Sequence, residues 1–148
     1  MSGDDAARGG DGAQVPLLVV DGANVVGSVP DGWWRDRRGA AERLRDALVD
    51  VALEGPADRA GSPAGPVEVV LVVEGAARGV AEVPLVRVVA AAGSGDDRIV
   101  ELVAEALAAR PGRTCLVVTA DRGLRARVTV LGAGVLGPRS VWPARPAA

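Results

Sequence analysis

Three short apolar runs each end on an acidic residue, and this feature constrains the fold more than any other. In chain order the runs read LLVVD, VVLVVE and LVVTAD, and they end on Asp21, Glu74 and Asp121. Uninterrupted runs of this length, rich in β-branched residues, are typical of strands that are buried on both faces. The sequence therefore predicts a sheet whose strands deliver acidic side chains at their carboxyl ends.

Helical patterns alternate with these strands. Residues 34–53 carry apolar side chains at steps of three and four, and the pattern stops at Gly55-Pro56. A second helix is predicted after Ser94, a favourable N-cap residue, and it ends before Pro111. A third, short helix is predicted for residues 122–131. Strands that alternate with helices in this way favour a parallel sheet that is covered on both faces.

Weaker signals complete the predicted architecture. The run VPLVRVVAA favours an edge strand, because Pro84 cannot donate a ladder hydrogen bond. The run AGVLGP predicts a last short strand, and the glycine-rich stretch after Asp21 predicts a loop. The fold class is thus α/β, a three-layer α/β/α sandwich with a mainly parallel, Rossmann-like central sheet. We predict a disordered tail over residues 1–14, a single domain over 15–142 and a short tail over 143–148.

The residue types that are missing exclude several kinds of chemistry. The chain of 148 residues has no His and no Lys, and its one cysteine, Cys115, lies in an apolar run that predicts a buried, inert thiol. Catalytic triads, Schiff bases, phosphate-loop lysines and zinc clusters therefore have no side chains to build them. Carboxylates, arginines, hydroxyls and backbone amides remain. Sites made only of oxygen ligands suit Mg²⁺ or Mn²⁺.

The acidic residues are expected to meet at one edge of the sheet. Asp21, Glu74 and Asp121 end strands, and Asp96 and Asp97 open the helix that follows a further strand. Ligands of open α/β sheets bind at the carboxyl ends of the strands. Each acid alone has a structural explanation as a turn or helix cap. Several acids on one edge repel one another unless cations neutralise them, and this favours a metal site.

Three segments together carry a resemblance to a known family. The stretches LLVVDGANVVGS, GSGDDRIVEL and LVVTADRGL resemble the NYN domains, which are PIN-like metal-dependent ribonucleases, and specifically their bacterial YacP-like branch. The resemblance covers about residues 15–137 and implies a PIN-like fold. It departs from the family pattern at Ala23, where relatives tend to have Tyr, and in the basic carboxyl-terminal extension that some relatives carry. Ribosome association is therefore left open.

The resemblance implies a set of metal ligands and a reaction. Asp21, Asp96 and Asp121 match the catalytic acids that hold Mg²⁺ or Mn²⁺, whereas the participation of Asp97 and Glu74 is left open. Metal ions held in this way lower the pKa of a bound water, place it in line with a phosphodiester and stabilise the leaving oxygen. The implied function is a metal-dependent endoribonuclease with single-stranded or structured RNA as its partner.

Residues near these acids are expected to contact the substrate. Asn24 is expected to orient Asp21 or to contact the phosphate, and Ser94, Thr119 and Arg122 are placed with it as substrate-binding residues. Further arginines near the edge could hold RNA phosphates, with solvated surface charge as the alternative. They are Arg35, Arg37, Arg38 and Arg125.

Alternative functions and the cellular setting complete the expectations. One alternative is a catalytically weak NYN domain that binds RNA or a protein, and another is a metal-dependent phosphatase or nucleotide hydrolase. The first residues lack the layout of a signal peptide and no apolar run is long enough for a membrane helix, so a cytoplasmic protein without membrane contact is expected. A homodimer is left open. The aromatic residues Trp33, Trp34 and Trp142 are expected to pack in the core or form a surface lid rather than stack on bases.

Overall fold

The computed structural model describes residues 15–57 and 63–143. The predicted tail over residues 1–14 and residues 144–148 of the predicted second tail lie outside the described residues, as does the middle of the loop after the first long helix. In chain order the elements are β1 (Leu17–Asp21), α1 (Gly22–Val26), α2 (Arg37–Glu54), β2 (Glu68–Val73), β3 (Val86–Ala90), α3 (Gly95–Ala109), β4 (Cys115–Val118), α4 (Arg122–Val130) and β5 (Gly134–Leu136).

The five strands form one sheet in the order β3-β2-β1-β4-β5, and all neighbouring pairs are parallel. β1 is the central strand, paired with β2 on one side and β4 on the other. The weak run after Pro84 does form the edge strand β3, as predicted. The strand order reverses beside β1, because the chain moves outward through β2 and β3 before it returns to β4. The predicted α/β fold with a parallel sheet is confirmed.

Helices cover both faces of the sheet, and the side chains of β1 alternate between the two cores. Leu18 and Val20 join the core beneath α1 and α2, whereas Leu17 and Val19 join the core beneath α3 and α4. The whole strand is buried. Continuous apolar runs are therefore required here, since both faces of each central strand lose contact with water.

Two local predictions differ from the structure, and an aspartate explains each. The sequence predicts a loop after β1, but this stretch forms α1, whose N-cap Asp21 accepts a hydrogen bond from the backbone N–H of Asn24. The helix predicted from residue 34 begins instead at Arg37, because Asp36 caps it by accepting from the N–H of Gly39 at 2.9 Å. The preceding residues, Trp33–Arg35, form a short 3₁₀ turn.

Two further features bear on chemistry and location. Cys115 is buried at the amino end of β4, and burial raises the pKa of its thiol to about 11, in agreement with the predicted inert thiol. In the part of the chain that the structure describes, no helix has the length and apolar character needed to cross a bilayer.

Candidate functional site

The candidate site lies where β1 and β4 end side by side. Asp21 is the last residue of β1, and Thr119 follows the last residue of β4. This is the point at which the strand order reverses, and such points leave a crevice at the carboxyl edge of an open α/β sheet. Gly22 is required directly after Asp21, because a Cβ there would come within 2.6 Å of the carbonyl oxygen of Val72 on β2.

A buried hydroxyl links the acids of β1 and α4. Thr119 is 0% exposed, and its hydroxyl donates to Oδ2 of Asp21 at 2.9 Å while it accepts from the N–H of Asp121 at 3.1 Å. Asp121 in turn caps α4 by accepting from the N–H of Leu124 at 2.8 Å. The sequence places Thr119 among the substrate-binding residues, and in the structure its hydroxyl links the two acids through these hydrogen bonds.

Asn24 also ties the two strand ends together. Its side-chain oxygen accepts a hydrogen bond of 2.9 Å from the N–H of Ala120, which lies between Thr119 and Asp121. Its own backbone N–H donates to Oδ1 of Asp21 at 3.4 Å. The side-chain carbonyl of Asn24 therefore holds the β4–α4 connection against α1. The contact between Asn24 and Asp21 is made by the backbone N–H of Asn24.

Glu74 and Ser94 meet the amino end of α3. Oε1 of Glu74 accepts from the N–H of Gly95 at 3.0 Å, and the hydroxyl of Ser94 accepts from the N–H of Asp97 at 3.3 Å. These contacts satisfy two of the amide groups that a helix leaves without internal partners. The same contacts bring Asp96, in the first turn of α3, to the edge that carries Asp21.

The other acid of this helix turn faces α4. Oδ1 of Asp97 lies 3.1 Å from the guanidinium of Arg127, and both side chains are largely exposed. The pair bridges α3 and α4 on the surface. Asp97 is thus engaged with a cation of the protein. The charge of Arg127 also lowers the pKa of Asp96, but by less than the charges of Asp121 and Glu74 raise it.

The electrostatics show that four acids share the edge. Burial raises the pKa of Asp21 from 3.8 to about 6; the hydrogen bonds from Thr119 and Asn24 lower it, and the charges of Asp96 and Glu74 raise it further. The pKa of Asp96 is also raised, first by burial and then by the charges of Asp121 and Glu74. The structure therefore brings together Asp21, Glu74, Asp96 and Asp121, as expected from the strand ends.

The donor set suits a hard divalent cation by its chemistry. All the available ligands are carboxylate oxygens, and their mutual repulsion is relieved by positive charge. Among residues 15–57 and 63–143, no three acidic or cysteine side chains stand where they could all hold one metal ion as they are placed. Asp21 is held by its hydrogen bonds with Thr119 and Asn24, and Asp121 keeps one carboxylate oxygen in its cap contact with Leu124.

The arginines near the edge differ in their contacts. Nε of Arg125 donates to the carbonyl oxygen of Thr119 at 2.8 Å, so this side chain supports the β4–α4 connection. Arg122 is exposed at the start of α4. Arg38 pairs with Glu42 on α2 at 3.5 Å.

The signal that could have revealed the role of Thr119 is its position in TAD, directly between a buried strand and a helix cap.

Comparison with solved structures bears on the fold. No protein-family model and no curated protein matches the sequence. A crystal structure of a tryptophan-to-leucine variant of Rae1 (YacP) from Bacillus subtilis is similar at a TM-score of 0.65 and 18% identity, over 86% of this chain and 72% of that chain. The chain has the fold of Rae1 (YacP). A second Rae1 crystal structure gives a TM-score of 0.64 at 20% identity, over 84% of this chain and 70% of that chain.

The likeness to Rae1 confirms the PIN-like fold that the three sequence segments imply. At identities of 18% and 20%, what this chain shares with Rae1 is the arrangement of strands and helices.

Proposed function

We propose that this protein is a metal-dependent ribonuclease that hydrolyses phosphodiester bonds of RNA at the carboxyl edge of its sheet. The observation that carries the proposal is the meeting of four acids from separate segments at one edge of the sheet, one of which, Asp21, is buried. Shifted pKa values in a cleft mark candidate functional groups. The fold of Rae1 and the motifs shared with NYN domains support the same conclusion.

Asp21, Asp96 and Asp121 are the residues proposed to hold Mg²⁺ or Mn²⁺, with Glu74 beside them. A bound divalent cation lowers the pKa of a coordinated water and neutralises charge on the phosphodiester. The protein contributes position: Thr119 fixes the Asp21 carboxylate, and the same hydroxyl receives the N–H of Asp121. No histidine is needed as a general base in this scheme, which agrees with the composition.

RNA is proposed to approach across the start of α4 and the start of α2. Arg122 is exposed beside Asp121, and Arg37 is exposed at the amino end of α2. Guanidinium groups bind phosphates through paired N–H donors. They would compensate the repulsion that the acids exert on an RNA backbone.

The direct test compares cleavage of single-stranded and structured RNAs in Mg²⁺, in Mn²⁺ and in EDTA. We expect cleavage that chelation abolishes, and a loss of at least about 100-fold in Asp21→Asn, Asp96→Asn and Asp121→Asn, since a ligand to a catalytic metal contributes several kcal/mol to the transition state. Asp50→Asn is a matched control, because Asp50 is an exposed acid on α2.

Four outcomes would contradict the proposal. Cleavage that survives EDTA, or that persists in Asp21→Asn, excludes the carboxylate-held metal. RNA that is bound but left intact in both metals indicates a binding domain instead. Hydrolysis of small phosphate esters or nucleotides without cleavage of RNA indicates a phosphatase or nucleotide hydrolase.

A further inference from the structure

A groove of about 570 Å³ adjoins the acidic edge. Glu74 and Asp96 form part of its wall, so the groove is continuous with the acidic edge. Trp33 and Arg37, from the 3₁₀ turn and the first turn of α2, also form part of its wall. Its volume lies in the range of pockets that bind small organic groups, about 300 to 1,000 Å³.

A tryptophan and an arginine are stacked in the wall of this groove. The guanidinium carbon of Arg37 lies 5.1 Å from the centre of the Trp33 ring, which is a cation–π contact. Both groups are planar, and unstacked bases of single-stranded nucleic acids bind to aromatic rings and to guanidinium planes. The pair therefore offers a stacking surface with a positive charge for the neighbouring phosphate.

Small residues keep the rest of the groove open. Gly75 and Gly93 both line it, and a Cβ added at either position would meet no atom within 4 Å. Gly93 has no positive φ, so a Cβ there strains neither the backbone nor its neighbours. The space beside Trp33 and Arg37 is thus accessible to a flat group from solvent.

We propose that this groove binds one unstacked nucleobase of single-stranded RNA against Trp33 and Arg37, and so places the adjoining phosphodiester at the acidic edge. This inference rests on the proposed ribonuclease function. The occupant belongs to the substrate because the groove and the acidic edge share Glu74 and Asp96. The sequence favours core packing or a surface lid for the tryptophans over base stacking. Trp33 does pack partly against the core, and it also lines the groove, which is the observation that favours stacking at this residue.

The neighbouring tryptophan supplies a matched control. Trp34 is 52% exposed and is not part of the groove wall, although its ring meets Trp33 edge to face with centroids 6.0 Å apart. Trp33→Leu removes the stacking ring but keeps an apolar side chain. Gly93→Leu fills the groove and leaves Trp33 intact, so it tests the proposal even if Trp33→Leu fails to fold.

The experiment measures binding rather than cleavage, so that it stands apart from the test of the ribonuclease. A fluorescently labelled decaribonucleotide and an abasic decamer with the same sugar-phosphate backbone are titrated with protein in EDTA, and anisotropy is recorded. We expect the wild type to bind the normal decamer at least fivefold more tightly than the abasic one. Trp33→Leu and Gly93→Leu should abolish this preference, and Trp34→Leu should bind within twofold of the wild type.

Equal affinity of the wild type for the two decamers would overturn the proposal, as would an unchanged preference in Gly93→Leu. If sedimentation shows a dimeric wild type and a monomeric Gly93→Leu variant, the groove holds a second copy of the chain and the proposal is wrong. A preference for bases without any cleavage in metal supports the groove and refutes the ribonuclease. Cleavage without a preference for bases supports the ribonuclease and refutes binding of a base in the groove.

Discussion

The hydroxyl of Thr119 donates a 2.9 Å hydrogen bond to the carboxylate of Asp21, and the two residues are 98 positions apart in the chain. Both are buried, at 0% and 6% exposure. The pair joins the ends of β1 and β4 and fixes the direction of a carboxylate whose pKa is raised to about 6. A charged group held in this way has measurable consequences for stability as well as for activity.

Asp21→Asn should stabilise the metal-free protein at high pH. The pKa of Asp21 is raised from 3.8 to about 6 on folding, so its contribution to stability is present below pH 4 and is lost as the pH rises through 6. At pH 8 the variant should unfold with a free energy about 1–3 kcal/mol larger than that of the wild type. Urea unfolding in EDTA at pH 8 and pH 4 measures this; a difference that grows at pH 4 would contradict it.

Thr119→Val should destabilise the protein by about 1–3 kcal/mol, because it leaves Oδ2 of Asp21 and the N–H of Asp121 without their partner. It should also raise the pKa of Asp21 above 6, since the lost hydrogen bond favours the charged form. Thr119→Ser is the control, because it keeps the hydroxyl. Denaturant midpoints and NMR titration of the Asp21 carboxyl carbon measure the two effects. Equal midpoints for the Val and Ser variants would refute the role of the hydroxyl.

Asn24→Ala should loosen the connection that carries Asp121. The Asn24 side-chain oxygen accepts from the N–H of Ala120, and without it this amide loses its protein partner. We expect faster hydrogen exchange at Ala120 and about a tenfold lower rate of RNA cleavage, the effect of misplacing a ligand by a fraction of an ångström. Asn24→Asp keeps the acceptor oxygen and should preserve protection of Ala120. Unchanged exchange in Asn24→Ala would show that the bond does not form in solution.

Mn²⁺ should stabilise the wild type against heat, because it binds the folded acids and not the unfolded chain. At a concentration 100 times its dissociation constant the gain is about 2.7 kcal/mol. Asp96→Asn should remove most of this gain. Asp50→Asn, which changes an exposed acid of α2, should retain it. Calorimetric melting with and without metal provides the measurement, and a shift of equal size in Asp96→Asn would exclude Asp96 as a ligand.

Local sequence was sufficient for most of the architecture. The apolar runs that end on Asp21, Glu74 and Asp121 do form parallel strands, and each of these acids lies at the end of its strand or in the turn that follows it. Ser94 does cap α3. These features depend on burial of a strand and on capping of a helix, which are properties of neighbouring residues. The missed helix α1 is five residues long, too short for an apolar periodicity to reveal it.

Tertiary structure alone decided which side chains form hydrogen bonds across the strand ends. The hydroxyl of Thr119 and the amide of Asn24 act on residues 98 and 96 positions away, across the junction of β1 and β4. The groove that Trp33 shares with Gly93 depends in the same way on distant segments. Sequence periodicity determines whether a segment is a strand and where its acid stands, but the order of strands follows from packing of the whole chain. That order is what makes Asp21 a buried neighbour of Thr119.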